Sequence, residues 1–232
     1  MKAILIPVKE FHEAKKRLAP HFSPADRAAL AEAMCEDFFS VVAATRCADR
    51  IFVISKEPGA LSRARARGWE TIVESHQTSE STSVDAGARY CAEQGVRALL
   101  RLPVDLPLVE PGDIEAVFEQ LDAAPSVVMV PSSDGTGTNA LLRSPAVLFP
   151  SHFGPNSFPR HLAEARGCGA STRVFRNPRL ELDIDELDDL RRLSNRLRPG
   201  SATARWLVER DINLGSPRAL ALAPDASDGQ II

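Results

Sequence analysis

The chain reads as one α/β domain, a mostly parallel twisted sheet in three α/β/α layers. Its alternation, its length and its composition predict this. Apolar runs of strand length alternate with longer stretches of helical spacing, the βαβ pattern of a parallel sheet. A length of 232 residues supplies one large core more readily than two. A hydrophobic share of 44% with 25% charged residues is that of a globular chain rather than a disordered one.

Taken in order, the pattern predicts a strand over 3–8 and a helix over 24–45. Ser23 before Pro24 is the start signal of that helix, and Leu30, Met34, Phe38 and Val41 form its inward stripe. Next come a strand over 50–55, a helix over 58–67, a strand over 70–74, a helix over 81–94 and a strand over 96–102. A helix over 110–121 opens at Pro111, with Ile114, Val117, Phe118 and Leu121 on one face. Strands over 127–130 and 172–175 follow, with Gly, Ser, Asn and Pro-rich loops between them. Helical segments come after residue 185, and a flexible tail over 219–232 follows a domain over 1–218.

Lys plus Arg number 28 against 31 Asp plus Glu, so no basic excess supports nucleic-acid binding. No apolar run reaches the roughly 20 residues of a membrane span, and the short apolar start lacks the form of a secretory signal. These features predict a cytoplasmic protein. The four cysteines lack CxxC spacing and read as reduced packing residues.

Several loops carry chemistry. Leu102-Pro103-Val104-Asp105-Leu106-Pro107 ends an apolar strand on one carboxylate held between prolines, where ligands collect in an open α/β sheet. An ordinary Asp/Pro turn would look the same. The loop after the first strand sets Lys9, Lys15, Lys16 and Arg17 within nine residues, a cluster suited to a triphosphate, although no Walker A pattern is present. Asp134-Gly135-Thr136-Gly137-Thr138-Asn139 and Phe153-Gly154-Pro155-Asn156-Ser157 offer backbone N–H groups and hydroxyls to an anion, the second at a helix start. The plain alternative for the first is a hairpin turn. His161 on that helix is read as packing or surface rather than as a base.

In Leu182-Asp183-Ile184-Asp185 two carboxylates two apart share one face of an extended segment, able to chelate a hard cation. Capping of the following helix by Asp185 is the competing use. With no HExxH and no Cys/His cluster, Mg²⁺ or Mn²⁺ is favoured over zinc. Leu148, Phe149 and Phe153 either offer a face on which two chains pair as a homodimer or pack beneath a loop.

Taken together, the basic loop Pro7 to Leu18, the Asp105 motif, Gly135-Thr136-Gly137-Thr138-Asn139-Ala140-Leu141-Leu142, Phe153 to His161 and Leu182 to Asp185 resemble the CofC/FbiD family. These are guanylyltransferases of deazaflavin coenzyme (F-420) biosynthesis with a MobA-like nucleotidyltransferase fold. The resemblance spans residues 1 to about 210 and rests on five motifs in the family's order. It implies that GTP reacts with phosphoenolpyruvate, 2-phospho-L-lactate or 3-phospho-D-glycerate and that pyrophosphate is released. It also implies that Asp105, Asp183 and Asp185 hold Mg²⁺, and that Thr138, Asn139, Gly154 and Ser157 bind the phospho-acid. Lys9, Lys15 and Arg17 would meet the GTP phosphates, with Lys15 and Asp105 at the chemistry. Where the family carries a Gly-Leu-Asn-Ala-type segment toward the nucleotide, this chain reads Ser81-Thr82-Ser83-Val84-Asp85-Ala86-Gly87, which gives Ser83 and Asp85 that place. A MobA-like or sugar-phosphate nucleotidyltransferase of other specificity, or a nucleotide-binding protein without turnover, are the alternatives.

Overall fold

In the computed structural model, which describes residues 1–193 and 196–210, the expected sheet is present with seven strands. They are β1 (Lys2–Val8), β2 (Arg50–Ser55), β3 (Glu70–Val73), β4 (Ala98–Arg101), β5 (Ser126–Pro131), β6 (Thr138–Ser144) and β7 (Ser171–Val174), in the order β3-β2-β1-β4-β6-β5-β7. Only β6 runs against its neighbours, pairing antiparallel with β4 and β5. The predicted tail over 219–232 and the boundary at 218 lie outside the described residues.

Strand β6 is the element that alternation misses. Its seven residues are all buried, on both faces, and they include Thr138, Asn139 and Arg143. No polar/apolar period survives to mark it. The Asp134–Asn139 segment is accordingly split between the turn of the β5–β6 hairpin, where Asp134 accepts from the Thr136 N–H at 2.9 Å, and the first two residues of β6. The hairpin reading and the anion-loop reading meet at Thr138, which opens the returning strand.

Helices α1 (Pro24–Ala44), α2 (Pro58–Ala66) and α4 (Pro111–Glu119) cover one face of the sheet, and α3 (Glu80–Glu93) and α5 (Ser157–Gly167) the other. Alternation along β1 explains both faces. Ile4, Ile6 and Val8 pack with Phe38, Phe39, Ile114 and Val117, whereas Ala3 and Leu5 pack with Val84, Ala88 and Cys91. Each fully buried Ile, Leu, Val or Phe among them contributes roughly 1.5–3 kcal/mol. Local signals hold at the ends: Ser23 Oγ accepts from the Asp26 N–H at 3.1 Å, and Pro24, Pro58 and Pro111 open their helices. Helix α3 sits close to β1 because Gly87 lacks a Cβ, which would lie 2.8 Å from Leu5 Cδ2.

A third cluster joins α1 to the C-terminal helices α6 (Leu187–Leu193) and α7 (Ala202–Glu209) through Leu30, Met34, Ile184, Leu190, Leu193, Trp206 and Leu207. Phe149 is buried, and the partly buried Leu148 and Phe153 pack with it beneath α5 in a satellite core. Among the described residues no helix is long and apolar enough to cross a membrane. The four cysteines are free, and burial pushes the thiols of Cys35 and Cys91 up to about 12, as suits packing residues.

Candidate active site

The chain switches sides of the sheet at β1. From there β2 and β3 build outward one way and β4 the other, which opens a crevice at the carboxyl ends of β1 and β4. The antiparallel β6 begins at this same edge. The loops after β1 and β4, the start of β6 and the 180–185 segment therefore converge there.

Lys15 and Asp105 meet first. The Lys15 ammonium lies 2.6 Å from Asp105 Oδ2 and 3.5 Å from Asp185 Oδ1, and it also donates to the Ile184 carbonyl. Its side chain is only 7% exposed, so this pair acts at low dielectric. Burial alone would raise the Asp105 carboxyl, but the charge and hydrogen bond of Lys15, with Arg101 behind, hold it below the usual carboxylate range. The Lys15 ammonium is held above its usual value, because Asp105 and Asp185 outweigh its burial.

The second carboxylate pair arrives on an extended but irregular segment. Leu182 and Ile184 point into the core, while Asp183 and Asp185 are half-buried toward Asp105 and Lys15. The Ile184 N–H donates to the Asp105 carbonyl at 3.2 Å, fastening this segment along the Asp105 loop. Asp183 is pushed up to about 6, by burial first and then by the like charge of Asp105. Asp185 meets Arg17 Nη1 at 3.3 Å. The capping role falls to Asp189, whose Oδ2 accepts from the N–H groups of Asp185 and Glu186 at 3.0 and 2.9 Å. Lys9 is exposed just past β1.

On the far side of the crevice, Thr138, Ser157 and Gly154 come together. Ser157 Oγ donates to Thr138 Oγ1 at 3.3 Å, and the Phe158 N–H donates to the Thr136 carbonyl at 3.0 Å, pinning the start of α5 to the hairpin. Gly154 is exposed at φ 114°, a conformation that side chains avoid, and leaves open space beside the helix start. Asn139 stands next to Thr138 but faces the carboxylates. Its Nδ2 donates to the Leu180 and Glu181 carbonyls at 3.0 Å each and to Asp183 Oδ1 at 3.1 Å.

Helix α3 brings Ser83 and Asp85 to the opposite flank, where both are engaged internally. Ser83 donates to Glu74, and both Asp85 oxygens accept from the Ser151 N–H, at 3.0 and 3.2 Å. Two arginines that periodicity overlooks stand behind the site. Arg101, 4% exposed, donates to the Thr138 and Asn139 carbonyls, pairs with Glu80 and stacks 4.0 Å over the Phe153 ring. Arg143, 2% exposed, donates to the Phe149 carbonyl. A charge inside an otherwise apolar strand, four residues before Asp105, is the signal that points to Arg101.

The match to the family described as "Guanylyl transferase CofC like" covers residues 1–202. Among curated proteins, the chain is 38% identical over 191 residues to a phosphoenolpyruvate guanylyltransferase of Rubrobacter xylanophilus, covering 82% of this chain and 91% of the relative. It is 33% identical over 186 residues to a 2-phospho-L-lactate guanylyltransferase of Methanothermobacter thermautotrophicus, covering 80% and 81%. Among solved structures, a putative nucleotide-diphospho-sugar transferase of Desulfovibrio desulfuricans superposes with a TM-score of 0.73 at 15% identity, covering 92% of this chain and 96% of that one, a likeness of fold. With the carboxylates, the cations and the Thr138–Ser157 hydroxyls gathered at one sheet edge, the chain belongs to the CofC-like guanylyltransferase family.

Proposed function

We propose that this chain transfers the guanylyl group of GTP to the phosphate of a three-carbon phospho-acid, phosphoenolpyruvate or 2-phospho-L-lactate, with 3-phospho-D-glycerate a third candidate, in deazaflavin coenzyme biosynthesis. The observation that carries this reading is the 3.1 Å bond from Asn139 to Asp183, which joins the start of β6, with Thr138, to the carboxylate cluster as two halves of one site. A phosphate oxygen of the acid attacks the α-phosphorus of GTP in line. The new P–O bond forms as the bond to the β-phosphate oxygen breaks, and pyrophosphate leaves. No protein nucleophile is needed, so the chain contributes by positioning and by charge.

Lys9, Lys15 and Arg17 face the triphosphate in this reading, and Lys15 neutralises charge as it develops. Thr138 and the Gly154 backbone hold the acid at the positive end of α5, and Ser157 serves the same subsite by directing its Oγ–H onto Thr138. Asn139 holds Asp183 rather than the acid, and Ser83 and Asp85 shape the nucleotide flank through their internal bonds.

The carboxylates also fit a hard divalent cation. Among the described residues no three His, Cys, Asp or Glu side chains stand ready-made at metal-bonding geometry. Yet the donors here are all oxygens, and an ammonium bridges two of them as a stand-in cation. Asp105, Asp183 and Asp185 would hold Mg²⁺, which would supply charge neutralisation of the triphosphate when bound.

Purified protein with GTP, Mg²⁺ and each phospho-acid in turn is expected to release pyrophosphate with at least one of them. A preference for CTP or UTP would overturn the guanylyl assignment. Asp105→Asn should lower turnover by roughly a thousandfold while GTP affinity changes far less. Equal retention of both would mark a binding protein.

A further inference from the structure

His161 is fully buried, one turn after Ser157 on the same face of α5, in a cage of Phe149, His152 and Phe153 rings. Its two nitrogens are engaged in a way that fixes its tautomer. Nε2 lies 2.8 Å from the His152 backbone N–H, which can only donate, so Nε2 carries no proton. The neutral ring must then hold its proton on Nδ1, which lies 3.0 Å from Thr138 Oγ1. Burial, followed by the charges of Arg143, Arg101 and Arg160, pushes the imidazole down to about 3, so the ring stays neutral at any working pH.

The consequence falls on Thr138. Its hydroxyl oxygen has two lone pairs, and it accepts from both His161 Nδ1–H and Ser157 Oγ–H. With its acceptor capacity filled, the hydroxyl can offer only its own hydrogen. No acceptor among the described residues takes that hydrogen, and Thr138 opens β6 beside the Gly154 turn. An ionised oxygen, acceptor-only, is the natural partner, and such a charge-assisted bond is roughly twice as strong as a neutral one.

We propose that His161 is a positioning residue that makes Thr138 an obligate hydrogen-bond donor to an anionic oxygen of the phospho-acid. The inference rests on the assignment of Thr138 to that substrate. A second hydrogen-bond layer holds the backbone donor in place: Arg160 Nη2 donates to His152 Nδ1 at 3.0 Å, and His152 Nε2–H donates to Glu164 Oε1 at 2.7 Å. A neutral imidazole adds no charge beside the incoming anion, so its contribution is direction rather than attraction.

The test combines steady-state kinetics on variants with NMR on the unmodified protein. His161→Phe keeps the ring volume and removes the proton, whereas His161→Asn keeps an N–H close to the Nδ1 position. With phosphoenolpyruvate and 2-phospho-L-lactate as varied substrates, H161F should raise the KM of whichever acid turns over by roughly tenfold and leave the KM of GTP within about twofold. H161N should recover most of the loss, and H161F should add nothing in a Thr138→Val background. Equal rises in both KM values, no recovery by H161N, or a full additional effect on T138V would each overturn the proposal. If T138V itself leaves the phospho-acid KM unchanged, the assignment of Thr138 falls and this inference with it. If T138V acts and H161F does not, only the inference falls. Should the variants fail to fold, long-range ¹⁵N–¹H NMR of the wild-type imidazole decides: a proton on Nδ1 is expected, and a proton on Nε2 overturns the proposal.

Discussion

Lys15 holds a left-handed backbone at φ 55°, which costs a non-glycine residue about 1–2 kcal/mol. Its ammonium rewards that strain by lying against Asp105 and Asp185 and on the Ile184 carbonyl. Removing one partner of a buried pair costs about 3–5 kcal/mol, because the other charge is left uncompensated. Lys15→Met should therefore destabilise the metal-free protein by several kcal/mol. The carboxylates that remain attract a divalent cation more strongly without the ammonium among them. Thermal unfolding with and without Mg²⁺ should show a larger Mg²⁺-induced rise in Tm for K15M than for wild type, since a ligand of the native state stabilises in proportion to its occupancy. Equal rises would mean that Lys15 and the cation do not compete for these oxygens. Asp105, Asp183 and Asp185 were legible as carboxylates at strand and segment ends. Lys15 was set beside Asp105 at the chemistry only by the family resemblance, because contacts 90 and more positions apart in sequence leave no local period.

At the scale of elements, α3 is positioned by a missing methyl group. A Cβ on Gly87 would stand 2.8 and 2.9 Å from the two Leu5 methyls and 3.4 Å from Ile54 Cδ1, all fully buried. Alanine gains up to about 1 kcal/mol in helix propensity over glycine, but overpacking a tight core costs about 1–3 kcal/mol. Gly87→Ala should thus be net destabilising by about 1 kcal/mol in chemical denaturation, and Gly87→Val by more. A stabilised G87A would show that α3 can shift away from β1 freely. Because α3 also carries Glu80 to Arg101 and Asp85 to the Ser151 N–H, G87V should in addition weaken substrate binding. Helix signals in the sequence were dependable wherever a proline and a capping side chain stood together, as at Ser23-Pro24. Strand β6 failed that test, because burial on both faces and an inward Arg143 removed its alternation. Arg143 was hidden with its strand, whereas Arg101 left one mark, a charge inside the otherwise apolar run of β4.

The whole molecule depends on how its C-terminal third returns to the sheet edge, because that third supplies Asp183 and Asp185. Asp113 makes the connection. It is 3% exposed in the first turn of α4, accepts from the Glu110 N–H at 2.9 Å, and binds Arg179 through both carboxylate oxygens at 2.7 and 2.6 Å. Asn177 adds a donor at 2.8 Å. Burial works to raise this carboxyl, but the Arg179, Asn177 and Glu110 bonds prevail and hold it below its usual range. A depressed folded-state pKa contributes stability that is present above the unfolded value of about 3.9 and is lost as pH falls through the lower folded value. Asp113→Asn removes the charge while keeping the shape, so the variant should lose about 2 kcal/mol near neutral pH, discounted from a fully buried pair because Arg179 is 43% exposed. The difference should begin to shrink below about pH 4, where the unfolded carboxyl takes up a proton, and close as pH falls through the lower folded value. Denaturant midpoints measured from pH 3 to 7 check this: a gap between wild type and D113N that stays constant across that range would show that the Asp113 charge does not tie the C-terminal segment to the sheet. Loosening that tie should also release the 180–185 segment, so D113N is expected to require more Mg²⁺ for half-maximal turnover while its Kd for GTP in the absence of metal is unchanged.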